Sequence, residues 1–234
     1  TVIASVVGVA ALLVPIQMAS QTWDDHDRSG RYTCRDFGQN YLMSLQEEGN
    51  PIVFTNGDND TFPLWYTQDV EGKRTDARVC NLSYLQTDWY IDQMRRPAYD
   101  SPALPITWSR LEYCAGTNEY VYVKPNFKRS IQELYNAYPE EAKSLFGENP
   151  FELENILKYW VRNNINEQQR SVIQMLVGPG QSTKVIPTDT VYVTIDKEAV
   201  KRSGMMMASD SIPDRMEISL RGKSALYKGD LMML

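Results

Sequence analysis

The chain has 234 residues, 42% of them hydrophobic and 11% aromatic, and a net charge of −6, enough to bury a substantial core in one domain or one and a half. The acidic balance, without a basic stripe carrying interleaved aromatics, excludes nucleic acid as the expected partner. The three cysteines, Cys34, Cys80 and Cys114, form no CxxC pair, so neither a zinc site nor a disulfide framework follows and no metal site is assigned.

Val2–Ala19 carries no charged residue. It is nearly long enough to cross a bilayer, which takes roughly 20 apolar residues. Small residues recur along it at Ala4, Ser5, Gly8, Ala10 and Ala11, as they do where membrane helices pack together. A cleaved signal peptide and a buried soluble helix are the rival readings, but no basic region precedes the apolar run. The preferred reading is the end of a transmembrane helix over residues 1–20. The acidic flank Asp24, Asp25 and Asp27 places the soluble domain, residues 21–234, outside the cytoplasm.

Trp23–Tyr32, WDDHDRSGRY, holds the single histidine, His26, together with Arg28 and Arg31. Carboxylates and imidazole suit metals, and arginines bind phosphate through two parallel hydrogen bonds. A membrane-proximal cap whose charges pair with one another is the plainer alternative.

A helix is expected over Tyr32–Leu45, from the spacing of Cys34, Phe37, Tyr41, Leu42 and Leu45. Two strand–helix units follow. Ile52–Thr55 is a short apolar strand, broken by Asn56-Gly57. Asp58, Asn59 and Asp60 form an acidic loop, and a helix opens at Thr61 with Pro63 in its first turn and Asp60 or Thr61 as cap. Asp76–Leu82 is the second strand, Ser83–Gln86 a loop, and Thr87–Met94 a helix capped by Thr87. This spacing implies a right-handed βαβ unit with parallel strands. Asn56, Asp58, Asn59, Asp60, Asn81, Ser83, Thr87 and Asp88 are then expected around one crevice, rimmed by Trp65, Tyr66, Trp89 and Tyr90.

Further on, Pro97–Pro105 is a proline-rich loop, Ile106–Trp108 a short strand and Glu119–Val123 a strand. Helices are expected at Phe127–Tyr138, Pro139–Phe146, from Asn149-Pro150 through Val161, and at Glu167–Val177. Val191–Ile195 and Arg215–Leu220 read as strands around a flexible stretch, Ser203–Asp214, that contains Met205, Met206 and Met207. The fold class is α/β: a transmembrane helix, a βαβα unit with parallel strands, packed helices and a β-rich C-terminal part. The chain starts at Thr1 and ends in what reads as a helix cut short, so a piece of a longer protein is expected.

The segments Trp23–Tyr32, Phe54–Tyr66 and Asn81–Ile91 resemble a bacterial family of multi-spanning membrane proteins. That family is similar to protein O-mannosyltransferases, among the glycosyltransferases that use lipid-linked sugars (the GT-C class). The resemblance implies the last membrane helix and the soluble extracytoplasmic part of such a protein, in the bacterial inner membrane and facing the periplasm. It implies a polyprenyl-phosphate sugar donor and a protein or glycan acceptor; no cofactor is identified from the sequence. The catalytic acidic residue is expected on a membrane loop outside this chain, so no catalytic residue is assigned within it. The substrate-binding candidates are Asp58, Asn59, Asp60, Asn81, Thr87, Asp88, Trp89, His26, Arg28 and Arg31.

Two other functions fit the same residues. One is a non-catalytic, membrane-tethered domain that binds glycan or protein. The other is a metal-dependent transferase in which Asp58-Asn59-Asp60 acts as a DxD motif holding a nucleotide-sugar. Simple capping of the following helix by Asp58 or Asp60, for about 1 kcal/mol, stands beside all three.

Overall fold

The computed structural model describes residues 1–204, 206–207 and 209–234. Met205, within the methionine-rich stretch, lies outside the described residues. The chain divides into two compact units: Thr1–Asn81 with Ala98–Pro102, and Leu82–Pro97 with Ala103–Leu234. The architecture is mixed α/β, as the sequence implies.

In the first unit, helix α1 runs Val2–His26, longer than the uncharged stretch, with Pro15 inside it. It is apolar enough to cross a membrane by length and composition, and it buries no residue. Its last turns therefore absorb Trp23 to His26, which the sequence reading had set apart as a polar island. Helix α2 spans Thr33–Met43.

Strand β1, Ile52–Thr55, pairs in parallel with β2, Arg78–Asn81, in the register Ile52↔Arg78 to Thr55↔Asn81. Between them α3 covers Asp58–Asp69. Val53 and Val79 from the strands, Leu42 from α2 and Leu64 from α3 close the core of this unit with Ala77. Helices α2 and α3 meet at Gly38. A Cβ there would stand 2.2 Å from the Pro63 carbonyl oxygen, so glycine permits the close approach.

Arg74 ties the unit off. Its guanidinium donates to the carbonyls of Leu42 (2.9 Å) and Gln46 (2.7 Å) at the end of α2, the acceptors a helix C-terminus leaves open. Asp76 holds the same guanidinium through two bonds of 2.9 Å. The short return segment 98–102 is stitched on by Thr75 to Asp100 (2.5 Å), Asp69 to the Tyr99 hydroxyl, and Arg78 to Ser101 (3.2 Å).

The second unit starts with a 3-10 turn at Tyr84–Gln86 and helix α4, Asp88–Met94. It continues through α5 (Arg110–Tyr113), β3 (Tyr120–Val123), α6 (Lys128–Ala137), α7 (Pro139–Phe146), α8 (Leu153–Asn155) and α9 (Glu167–Val177). Then come β4 (Val185–Ile186), β5 (Thr190–Thr194), α10 (Lys197–Arg202), β6 (Arg215–Ser219), β7 (Ala225–Tyr227) and α11 (Lys228–Met233). One sheet has the order β4-β3-β7, with β4 parallel and β7 antiparallel to β3. Strands β5 and β6 form an antiparallel pair.

Three expectations fail here. Ile106–Trp108 forms no strand; Trp108 is instead buried as packing. The helix expected from Asn149-Pro150 begins only at Leu153 and turns π-helical over Ile156–Val161. Thr87 stands at the start of α4 but does not cap it, because its hydroxyl donates to the Tyr84 carbonyl at 2.7 Å.

Candidate functional site

The turn after β1 is built by Gly57. Its backbone sits at φ 101°, ψ −173°, a region that glycine alone enters without strain. The helix starts at once: Asp58, Asn59 and Asp60 are its first turn, not a loop before it, and neither Asp60 nor Thr61 caps it. Pro63 is accordingly the sixth helical residue. Lacking an N–H, it leaves the Asn59 carbonyl without its usual helical donor. Asp58 and Asp60 at this end complement the helix dipole.

A buried polar knot holds the turn in place. The Thr61 hydroxyl donates to the Gly57 carbonyl (2.6 Å) and accepts from the Asn81 amide (2.9 Å). With its single proton so used, it must accept from the Thr55 hydroxyl, 2.7 Å away. Thr55, Thr61 and Asn81, each 3% exposed or less, thus join the ends of β1 and β2 to the start of α3. Asn81 contributes to the knot that positions the site.

Beside this turn lies a pocket of about 590 Å³, lined by Arg28, Arg31, Tyr32, Cys34, Arg35, Asp58, Asn59, Phe62, Pro63 and Tyr66. It opens two residues past the end of α1. Four of the ten substrate-binding candidates meet here, Arg28, Arg31, Asp58 and Asn59, together with Tyr66 from the expected rim. Arg28 and Arg31 are exposed and form no ion pair among the described residues. Arg35 differs. Its guanidinium and the Gln39 amide both donate to the Glu71 carboxylate, which holds that carboxyl below its ordinary range. Phe62, Tyr66 and Tyr32, exposed at 49%, 44% and 56%, supply an apolar wall.

Other candidates lie elsewhere. His26 is on the last turn of α1, where its Nδ1–H donates to the Thr22 carbonyl at 3.0 Å, and it does not line the pocket. Asp60 is half-buried and also outside the lining. Thr87, Asp88 and Trp89 belong to the second unit, where Asp88 faces Arg110 at 3.8 Å. Among the described residues no three His, Cys, Asp or Glu side chains gather as metal ligands.

Sequence reasoning missed Arg35, Phe62 and Cys34 as pocket residues. No spacing rule pointed to them, because residues 27–32 are a non-helical turn and Arg28, Arg31 and Arg35 share no helix face. Of the cysteines, Cys34 is exposed in the pocket, while Cys80 is buried, and burial pushes its thiol up to about 12.

A family model described as TMEM260-associated domain 2 matches residues 34–234. The chain belongs to this family. The TMEM260-associated domain thus begins one residue into α2 and takes in the second unit and the part of the first from Cys34 on. It includes Cys34, Arg35, Asp58, Asn59, Phe62, Pro63 and Tyr66 of the pocket, while Arg28, Arg31 and Tyr32 lie just ahead of it. No curated protein and no solved structure matches the chain.

Proposed function

We propose that this chain is the membrane-anchored soluble part of a glycosyltransferase of the protein O-mannosyltransferase-like, GT-C type, and that its pocket receives the phosphate of a polyprenyl-phosphate sugar. The carrying observation is the position of Arg28 and Arg31, two guanidiniums without a carboxylate partner among the described residues, on a partly apolar pocket directly after the candidate membrane helix. At ~1.5 Å per residue, the 25 residues of α1 extend past a ~30 Å hydrocarbon core. The pocket mouth then lies at head-group level, where a lipid phosphate resides.

The chemistry suits that ligand. Arginine pairs grip phosphate oxygens through parallel charge-assisted hydrogen bonds. The first turn of α3 already carries Asp58 and Asp60, so an anion is better placed on the arginine side than on that helix end. Phe62, Tyr32 and Tyr66 offer an apolar surface to the first isoprene units. In transfer, the acceptor hydroxyl attacks the anomeric carbon, the bond to phosphate breaks, and the hydroxyl proton passes to a carboxylate upstream of this chain. Arg28 and Arg31 stabilise the departing phosphate.

Orientation toward a bacterial periplasm is part of the same proposal. The acidic flank favours it, while Arg28, Arg31 and Arg35 stand in the same window and count toward the opposite side. Labelling of Cys34 by an impermeant maleimide in intact cells decides it: labelling is expected, and protection until lysis would reverse the topology.

The main test is the Arg28→Ala, Arg31→Ala double variant of the full-length protein in vesicles. Transfer from a polyprenyl-phosphate sugar at low donor concentration should fall at least about tenfold, equivalent to ~1.4 kcal/mol, with an unchanged melting temperature. Undiminished transfer would overturn the reading.

A non-catalytic, tethered binding domain is the second reading. It is favoured by one observation: among the described residues Asp58 is the single carboxylate in the pocket lining, and no histidine joins it.

A further inference from the structure

The second unit carries an aromatic surface that the pocket reading leaves unused. Strand β3 alternates: Val121 and Val123 point into the core, at 2% and 7% exposure, while Tyr120 and Tyr122 point out. On β7, Leu226 points in and Tyr227 out. The three tyrosines share one sheet face at 50%, 49% and 59% exposure. The Tyr120 ring is 5.1 Å from Tyr122 and 6.4 Å from Tyr227, centre to centre.

Sheet stability accounts for part of this. Tyr120 and Tyr227 are directly cross-strand, and such a pair is worth ~0.2–1 kcal/mol. Tyr122, on the central strand, is flanked by Ala225 on β7 and by the buried Val185 on β4. Neither neighbour is aromatic, and the Tyr122 ring stays half exposed. The ring leads into a second pocket, about 460 Å³, lined by Lys124, Asn126, Phe127, Gln181 and Ser182 among others. The Lys124 ammonium stands 5.5 Å from the Tyr122 ring centre.

We propose that this face binds a neutral oligosaccharide, with sugar rings stacked on Tyr122 and Tyr120 and hydroxyls bonded in the pocket. A pyranose presents an apolar C–H face and a rim of hydroxyls. The negative face of a tyrosine ring matches the first. Two amides, a hydroxyl and an ammonium, with no carboxylate in the lining among the described residues, match the second. The tyrosines occupy the face of the sheet around its central strand, whereas a peptide adding by backbone pairing needs an edge. The proposal does not rest on lipid-phosphate binding in the first unit, and its test does not use donor or transfer.

The test is calorimetric titration of the detergent-solubilised full chain with cellohexaose, mannohexaose and chitohexaose, and with a proline-rich decapeptide. At least one hexasaccharide should bind. Tyr122→Leu should weaken it at least about tenfold, and Tyr122→Phe, which keeps the ring, by no more than about twofold. Melting temperatures identify any variant that unfolds, and Asn126→Ala then serves as the second probe, with the same direction of effect expected. No binding of any hexasaccharide at about 10 mM, or binding insensitive to both Tyr122→Leu and Asn126→Ala, would overturn the proposal. Binding of the decapeptide alone would overturn it in favour of a peptide ligand.

Discussion

Two groups of arginines in this protein have opposite surroundings. In the second unit, Arg162 donates to both oxygens of Glu112, at 2.6 and 3.0 Å, and lies 5.5 Å from the centre of the Trp108 ring. Glu112 also accepts from the Ser109 backbone and hydroxyl, each at 2.7 Å. Every strong group there is matched, and both side chains are mostly covered, at 29% and 24% exposure. In the first unit, Arg28 and Arg31 line a pocket, are exposed, and pair with no carboxylate among the described residues. Matching is what a charge needs when it serves the fold. A guanidinium left to solvent beside an aromatic wall is available to a ligand, and the contrast can be tested from either side.

The largest effect is expected in the matched group. Glu112→Ala should lower unfolding free energy by about 2–3 kcal/mol, because it strands a partly buried guanidinium and two Ser109 donors. Denaturant titration checks this, and a loss below about 0.5 kcal/mol would erase the contrast.

Acid should remove part of the same stability in the wild type. Burial pushes the Glu112 carboxyl up, but hydrogen bonds from Arg162 and Ser109, with the Arg162 charge, outweigh it and hold the group at about 2 instead of 4.5. An unfolded-state value above the folded one means that this stabilisation is complete above about pH 4.5 and is lost as pH falls toward 2. Melting curves of wild type and Glu112→Gln should therefore converge over that window, and parallel curves would show that Glu112 is not the titrating group.

On the unmatched side, Arg28→Ala and Arg31→Ala should each change stability by no more than about 0.5 kcal/mol. A loss like that of Glu112→Ala would mean that these arginines are structural after all. The smallest effect is chemical. Cys34 should react with a maleimide much faster than Cys80, whose thiol is buried and shifted up to about 12. A short-chain polyprenyl phosphate should slow Cys34 labelling in the wild type and leave it unchanged in the arginine double variant.

The parallel pair was legible because Ile52–Thr55 and Arg78–Asn81 are short apolar runs separated by a helix-length segment. Periodicity likewise located α6, and the glycines at 147 and 178 marked where α7 and α9 end. The helix boundary at Asp58 was not legible, since it is set by the Gly57 backbone, and polar residues after a glycine read equally as loop or first turn. The pocket was half legible. Two polar islands were visible in the chain, and Arg28, Arg31, Asp58 and Asn59 do line one cavity. Arg35, Phe62 and Cys34 were hidden because their role comes from how α2 and α3 pack at Gly38, a contact between residues 25 positions apart in sequence. The expected strand at Ile106–Trp108 failed for a related reason: three residues of strand character form no strand without a neighbour to pair with.

The first unit is not continuous along the chain. Thr75, Asp69 and Arg78 bind residues 99–101, which arrive only after 82–97 have been made. The 21 residues from Leu82 to Pro102 take about 1–4 s to synthesise at ~5–20 residues per second. During that interval the β1–β2 pair exists without its closing stitch, and the emerging chain is open to chaperones and proteases. The clock for this unit is therefore set by translation speed over a segment that belongs to the other unit.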